Sequence, residues 1–171
     1  ANYLAGHGYE VVIITTDQRG NRPFFDLDGR IRCHDLGINY EKNNGKSFLN
    51  KLICYPFKQW KHRKRLSECL KRINADITVS MFCNDASLLW KMNDGSRKIL
   101  EIHFSRYKRL QYGRKGIWKL VDWWRSRMDE RTVKRYDRFV VLTAEDQSYW
   151  GDLPNMTVIP NALTYSVPQS H

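Results

Sequence analysis

Short apolar strands alternating with helices predict an α/β fold with a mostly parallel sheet flanked by helices. Three observations in the 171-residue chain carry that expectation. Continuous apolar runs recur between helical stretches, the pattern of strands buried on both faces of a parallel sheet. The run Phe139–Leu142 passes directly into Thr143-x-x-Asp146, the spacing of a capping box, and then into a short helix stopped by Gly151 and Pro154. A second run, Met156–Ile159, follows and is stopped by Pro160-Asn161. Two strands joined by a helix in so few residues make a βα unit at a sheet edge. The expected architecture is Rossmann-like.

The totals bound the problem. A chain of 171 residues has room for one ordinary domain with a real core. Its 42% hydrophobic and 27% charged residues are normal for a globular protein, and no apolar run reaches the roughly 20 residues of a membrane span. Cys33, Cys54, Cys69 and Cys83 have neither CxxC spacing nor matched histidines, so no metal is expected and reduced, buried thiols are. The net charge of +11 points to an anionic partner: nucleic acid, membrane or phosphorylated substrate.

In chain order, residues 1–7 read as an amphipathic helix tail closed by Gly8, and residues 10–16 as a buried strand. Residues 22–27 and 30–36 read as two short strands about an Asp28-Gly29 turn. An Asn- and Gly-rich loop, residues 39–45, is either a cleft rim or a connector. Residues 47–74 read as a helix kinked at Pro56, with Phe57, Trp60, Leu66, Leu70 and Ile73 facing the core. Its basic residues, Lys58 to Arg72, form either a solvated face or a phosphate or lipid surface. Residues 75–82 form the next strand, and Asn84-Asp85 starts a short helix closed at Asp94-Gly95. Residues 97–102 form another strand. A basic, aromatic stretch (105–116) leads into a helix over 117–136, whose stripe is Trp118, Val121, Trp124, Met128 and Val133.

The segment FVVLTAEDQSYWGDLPNMTVIPNAL resembles the end of the N-terminal domain of family 4 glycosyltransferases, retaining enzymes of the GT-B fold. ANYLAGHGYEVVIIT is similar to their first helix and second strand, ADITVS to a later strand, and ILEIHF to the strand that ends in a cleft-facing histidine. The resemblance implies one half of a GT-B architecture: an acceptor-binding domain over 1–163, with 164–171 beginning an interdomain linker. A first strand and Gly-rich loop would lie upstream of Ala1.

The site follows from strand direction, since ligands in open α/β sheets gather beyond the carboxyl ends of the strands. His103 stands there, and the resemblance implies a catalytic place for it near the transferred sugar. Phe104 stands where the family has a polar residue. Glu101 shares the strand face of His103; it orients the imidazole, accepts an acceptor proton, or pairs with a buried Arg. Arg106, Arg109 and Arg114 are candidates for holding the acceptor or a phosphate, or are an exposed basic loop. Trp123, Trp124, Lys119 and Arg127 have the composition of a membrane-contacting helix face, while Trp118 reads as core. Pro160 and Asn161 are implied to be the hinge between two domains.

The resemblance thus implies a parent enzyme that transfers a hexose from a UDP- or GDP-sugar to a glycan or lipid-linked glycan, as in bacterial polysaccharide biosynthesis. It would work in the cytoplasm or peripherally on the inner membrane face, against an anionic lipid surface. The nucleotide sugar would be held by a C-terminal domain, with no cofactor and no metal. This chain alone would then be inactive. The rival is a basic, non-catalytic α/β module that binds nucleic acid or docks on membranes. No nucleic-acid-binding signature is present, so nucleic acid is not the expected partner.

Overall fold

The computed structural model of the chain describes residues 1–43, 48–106 and 115–161. The chain divides into two compact units, Ala1–Ile73 and Asn74–His171. Every strand pairing in both is parallel, flanked in sequence by helices, as the Rossmann-like expectation requires.

In the first unit, helix α1 (Asn2–Gly6) ends in paired bonds from Gly8 N to Ala5 O (3.3 Å) and Tyr9 N to Leu4 O (3.1 Å). That is the Schellman pattern, and Gly8 supplies its positive φ of 84°. Strand β1 (Val12–Thr15) pairs with β2 (Arg32–Asp35), Val12 opposite Arg32 and Thr15 opposite Asp35. The expected strand over 22–27 does not form. Because β1 and β2 run parallel, residues 16–31 are the return path between them, and a hairpin cannot serve. The Asp28 turn does form. Arg30 grips the Asp28 carboxylate through Nε (2.9 Å) and Nη2 (2.6 Å), and Asn2 bonds the backbone on either side, at Asp26 O and Asp28 N. Those side-chain bonds first, and the Arg30 backbone N–H second, hold the Asp28 carboxyl well below the usual carboxylate range.

A 3-10 turn, Tyr40–Asn43, precedes α2 (Phe48–Ile73), which runs through Pro56 and closes on Asn74 at φ 52°. Its buried side chains are His62, Leu66, Cys69 and Leu70. Phe57 and Trp60, expected in the core, are 66% and 60% exposed. The helical phase explains the error: at about 100° per residue, Phe57 lies roughly 180° from Leu66. The basic face is not simply solvated. Lys58 donates to Asn39 O, Lys61 to Gly37 O (3.4 Å), and Arg65 to Leu36 O and Gly37 O. Three cations of one helix face satisfy the carbonyls of the preceding loop.

The second unit contains β3 (Ile77–Ser80), α3 (Ala86–Leu89), β4 (Arg97–Glu101), α4 (Ile117–Val133), β5 (Arg138–Val141), α5 (Ala144–Trp150) and β6 (Met156–Val158). The sheet order is β3-β4-β5-β6. Leu100 faces Phe139 across β4 and β5, and both are fully buried, with Ile102 and Val141 beside them. Each such side chain contributes about 1.5–3 kcal/mol of burial. Burial on both faces is confined to this centre. Strand β1 is half-buried, β2 is exposed, and β3 leaves Ile77 and Val79 exposed.

Polar bonds fix the strand entrances. Lys98, only 6% exposed, pairs with Asp94 and bonds Ser96, while its backbone N–H donates to Asp137 Oδ2 (2.6 Å). Tyr136 Oη donates to Ala86 O (2.8 Å), and Asn155 Nδ2 bonds both Val133 O and Tyr136 O (2.9 Å) at the end of α4. The capping box forms by half: Asp146 N donates to Thr143 Oγ1 (3.0 Å), but the Asp146 carboxylate takes the Thr143 hydroxyl instead of the backbone N–H. Asp85 occupies the N-cap of α3 without a side-chain cap bond. Of the stripe expected on α4 only Val133 is buried; Val121 is half-buried, and Trp118, Trp124 and Met128 are exposed. The inner face carries Asp122, and Trp124 lies about 200° around from it. No helix among the described residues is long and apolar enough to cross a membrane.

Two stability predictions follow from these contacts. Gly37 sits at φ 58°, and an added Cβ would come within 3.2 Å of Arg65 Nη1. Gly37→Ala is expected to cost about 1–2 kcal/mol, read as a lower urea midpoint at unchanged slope. Burial first, and the charge of Asp85 second, push the Tyr136 phenol above its ordinary range. Its stabilising contribution is therefore complete below the unfolded value of about 10 and is lost as pH rises through the alkaline range above it. Tyr136→Phe should cost about 1 kcal/mol at neutral pH and abolish that alkaline loss, measured by urea midpoints at both pH values.

Candidate functional site

Strand β4 buries Lys98, Leu100 and Ile102 on one face, which turns Glu101 and His103 to the other. The last ladder bond, Ile102 N to Val140 O (3.0 Å), leaves His103 as the first residue free of the sheet. His103 Nε2 lies 3.0 Å from Glu101 Oε1, with side-chain exposures of 38% and 30%. A carboxylate can only accept, so Nε2 is the donor in this contact and Nδ1 is not engaged by it. The contact of Glu101 seen at this strand end is the one with the imidazole of His103. This is a histidine held by a carboxylate, open to solvent, beyond a parallel strand.

An aromatic group adjoins that strand end. Phe104 meets Phe82 edge-on at 5.5 Å, Phe82 lies 6.5 Å from Trp150, and Trp150 meets Phe139 at 5.1 Å. Phe82 follows β3 with φ 54°, a left-handed conformation that costs a bulky residue roughly 1–3 kcal/mol. Composition gave no sign of Phe82. A residue just past a strand and before Asn84-Asp85 was the available signal, and it does not foretell backbone handedness.

Arg106 lies within this group. Its guanidinium bonds Tyr149 O and Glu130 and stands over the Trp150 ring at 5.4 Å. Arg106 therefore ties the end of β4 to α4 and α5, and its charge is matched inside the protein by Glu130. Arg109 and Arg114 lie outside the described residues. Trp123, Trp124, Lys119 and Arg127 are all exposed on α4 and are not brought to the Glu101–His103 pair by any contact seen. Pro160 and Asn161 follow β6 as exposed, irregular chain, after Ile159 N bonds Val141 O (2.9 Å). Residues 164–171 also lie outside the described residues.

Comparison with known families gives one match. The family described as Glycosyltransferase Family 4 matches residues 1–165. No curated protein and no solved structure matches the chain.

Arg106→Ala should destabilise the chain by about 2 kcal/mol, because Glu130 and the Tyr149 carbonyl lose a charged donor in a half-buried setting. Arg106→Lys should recover only part of this, since an ammonium cannot reproduce the planar fork. Equal urea midpoints for wild type and Arg106→Ala would remove the anchoring role.

Proposed function

Because the chain belongs to glycosyltransferase family 4, we propose that it is the acceptor-binding domain of a retaining, hexose-transferring GT-B enzyme. The substrate donor is a UDP- or GDP-sugar, and the acceptor is a glycan or a lipid-linked glycan. The observation that supports this most directly is the Glu101–His103 contact of 3.0 Å at the carboxyl end of β4. His103 touches the transferred sugar and the acceptor hydroxyl through Nδ1, and Glu101 positions the ring. The retained anomeric configuration follows from the family alone.

In this reading the nucleotide is held by a second domain of the parent enzyme, reached across Pro160-Asn161. Positive charge stabilises the leaving pyrophosphate, and no metal takes part. Arg109 and Arg114 remain candidates for holding phosphate, whereas Arg106 serves as an anchor. The exposed face of α4, with Trp123, Trp124, Lys119 and Arg127, rests on the anionic inner surface of the membrane. The parent is then a peripheral, cytoplasmic enzyme of polysaccharide assembly.

The test uses the parent enzyme. A nucleotide sugar at a hundred times its dissociation constant adds about 2.7 kcal/mol and raises the melting temperature. The parent should respond to one nucleotide family, and the 171-residue chain to none. His103→Ala should lower transfer by about 10²- to 10⁴-fold at unchanged melting temperature, with a smaller loss for Glu101→Gln. A full transfer rate in His103→Ala, or turnover by the chain alone, would sink the proposal.

A further inference from the structure

Helix α4 is inverted relative to an ordinary surface helix. Asp122 and Val133 define its buried side, while Ile117, Leu120, Trp123 and Trp124 are 72%, 67%, 54% and 58% exposed. Trp123, Trp124, Arg127, Met128 and Arg131 line an open groove of about 200 Å³. The Arg127 guanidinium stands 5.0 Å from the centre of the Trp123 ring. Neither Arg127 nor Arg131 pairs with a carboxylate among the described residues. Lys119 and Arg125 are also exposed on this helix. The acids of the helix do not offset this charge on the surface: Asp122 is buried, Asp129 is half-buried, and Glu130 holds Arg106.

We propose that this groove is a lipid headgroup seat that selects a phosphomonoester over a phosphodiester. The inference rests on the reading of α4 as the membrane-facing helix. Two guanidinium groups one helical turn apart present paired N–H donors, the geometry that fits phosphate oxygens. A phosphomonoester carries about −1.5 to −2 charges on three free oxygens and matches two uncompensated cations; a diester carries one charge and offers two. Trp123 and Trp124 have the amphipathic rings that settle at headgroup depth, and Leu120 and Met128 extend the apolar surface toward the acyl chains.

The test is co-sedimentation of the chain with phosphatidylcholine vesicles containing phosphatidic acid or phosphatidylglycerol, compared at matched surface charge. Binding to phosphatidic acid should be about tenfold tighter, the scale of one added charge-assisted hydrogen bond. Arg127→Gln with Arg131→Gln should erase that preference, so that both lipids bind the variant alike, each weakened by the loss of two cations that face any anionic surface. Trp123→Ala with Trp124→Ala should weaken both lipids alike. All four side chains are exposed, and an unchanged thermal melt certifies that the variants fold. Equal binding of the two lipids, or a preference that survives the double Arg substitution, overturns the seat and leaves the membrane reading standing. No binding to any anionic vesicle overturns both. Displacement by inorganic phosphate shows a free-anion site and overturns the lipid assignment.

Discussion

The pairing of β4 with β5 is the constraint on which the candidate site depends. Leu100 and Phe139 face each other with no exposure, so this part of the ladder admits only apolar side chains at those positions. Toward the carboxyl end of the strand burial relaxes. That happens at Glu101, the last paired residue, and at His103, just beyond the final ladder bond. Alternation along the strand then puts both on one side, 3.0 Å apart. The site lies where the strand leaves its fully buried centre and both side chains regain contact with solvent.

The basic excess of the chain resolves into cations with different surroundings. Lys58, Lys61 and Arg65 satisfy loop carbonyls, Lys98 closes a strand entrance with Asp94, and Arg106 ties Glu130 to the Tyr149 carbonyl and the Trp150 ring. Side chains such as these stabilise by filling acceptors that would otherwise be buried and unpaired. Arg127 and Arg131 have no such carboxylate partner among the described residues, which leaves their charge available to an anion outside the chain. Net charge alone could not have separated the two groups.

The centre of the second unit was legible in the sequence, and its margins were less so. Strand β5, helix α5 and strand β6 follow their apolar runs and stop signals closely, because the Thr143 cap, the Gly151 stop and the buried centre of β5 leave little choice. The pair at Glu101 and His103 was legible because strand period two fixes which residues share a face. Phe57, Trp60 and Trp124 were misread because an apolar stripe gives a helix its period but not which side meets the core. Arg22–Leu27 was misread as a strand because hairpin chemistry at Asp28-Gly29 says nothing about whether the neighbouring strands run parallel. Long-range contacts decided both outcomes.

The compact run from β5 to β6 also bears on how the sheet assembles. Its helix is capped by Thr143, its strands are joined by a connection shorter than the one between β4 and β5, and Asn155 fastens it to the end of α4. Closing this loop costs less chain entropy than bringing β4 to β5 across the whole of α4. On topology alone the β5–β6 edge is cheaper to form than the β4–β5 pairing at the centre of the sheet. The β5–β6 edge can thus be in place before the central pairing beside Glu101 and His103 closes.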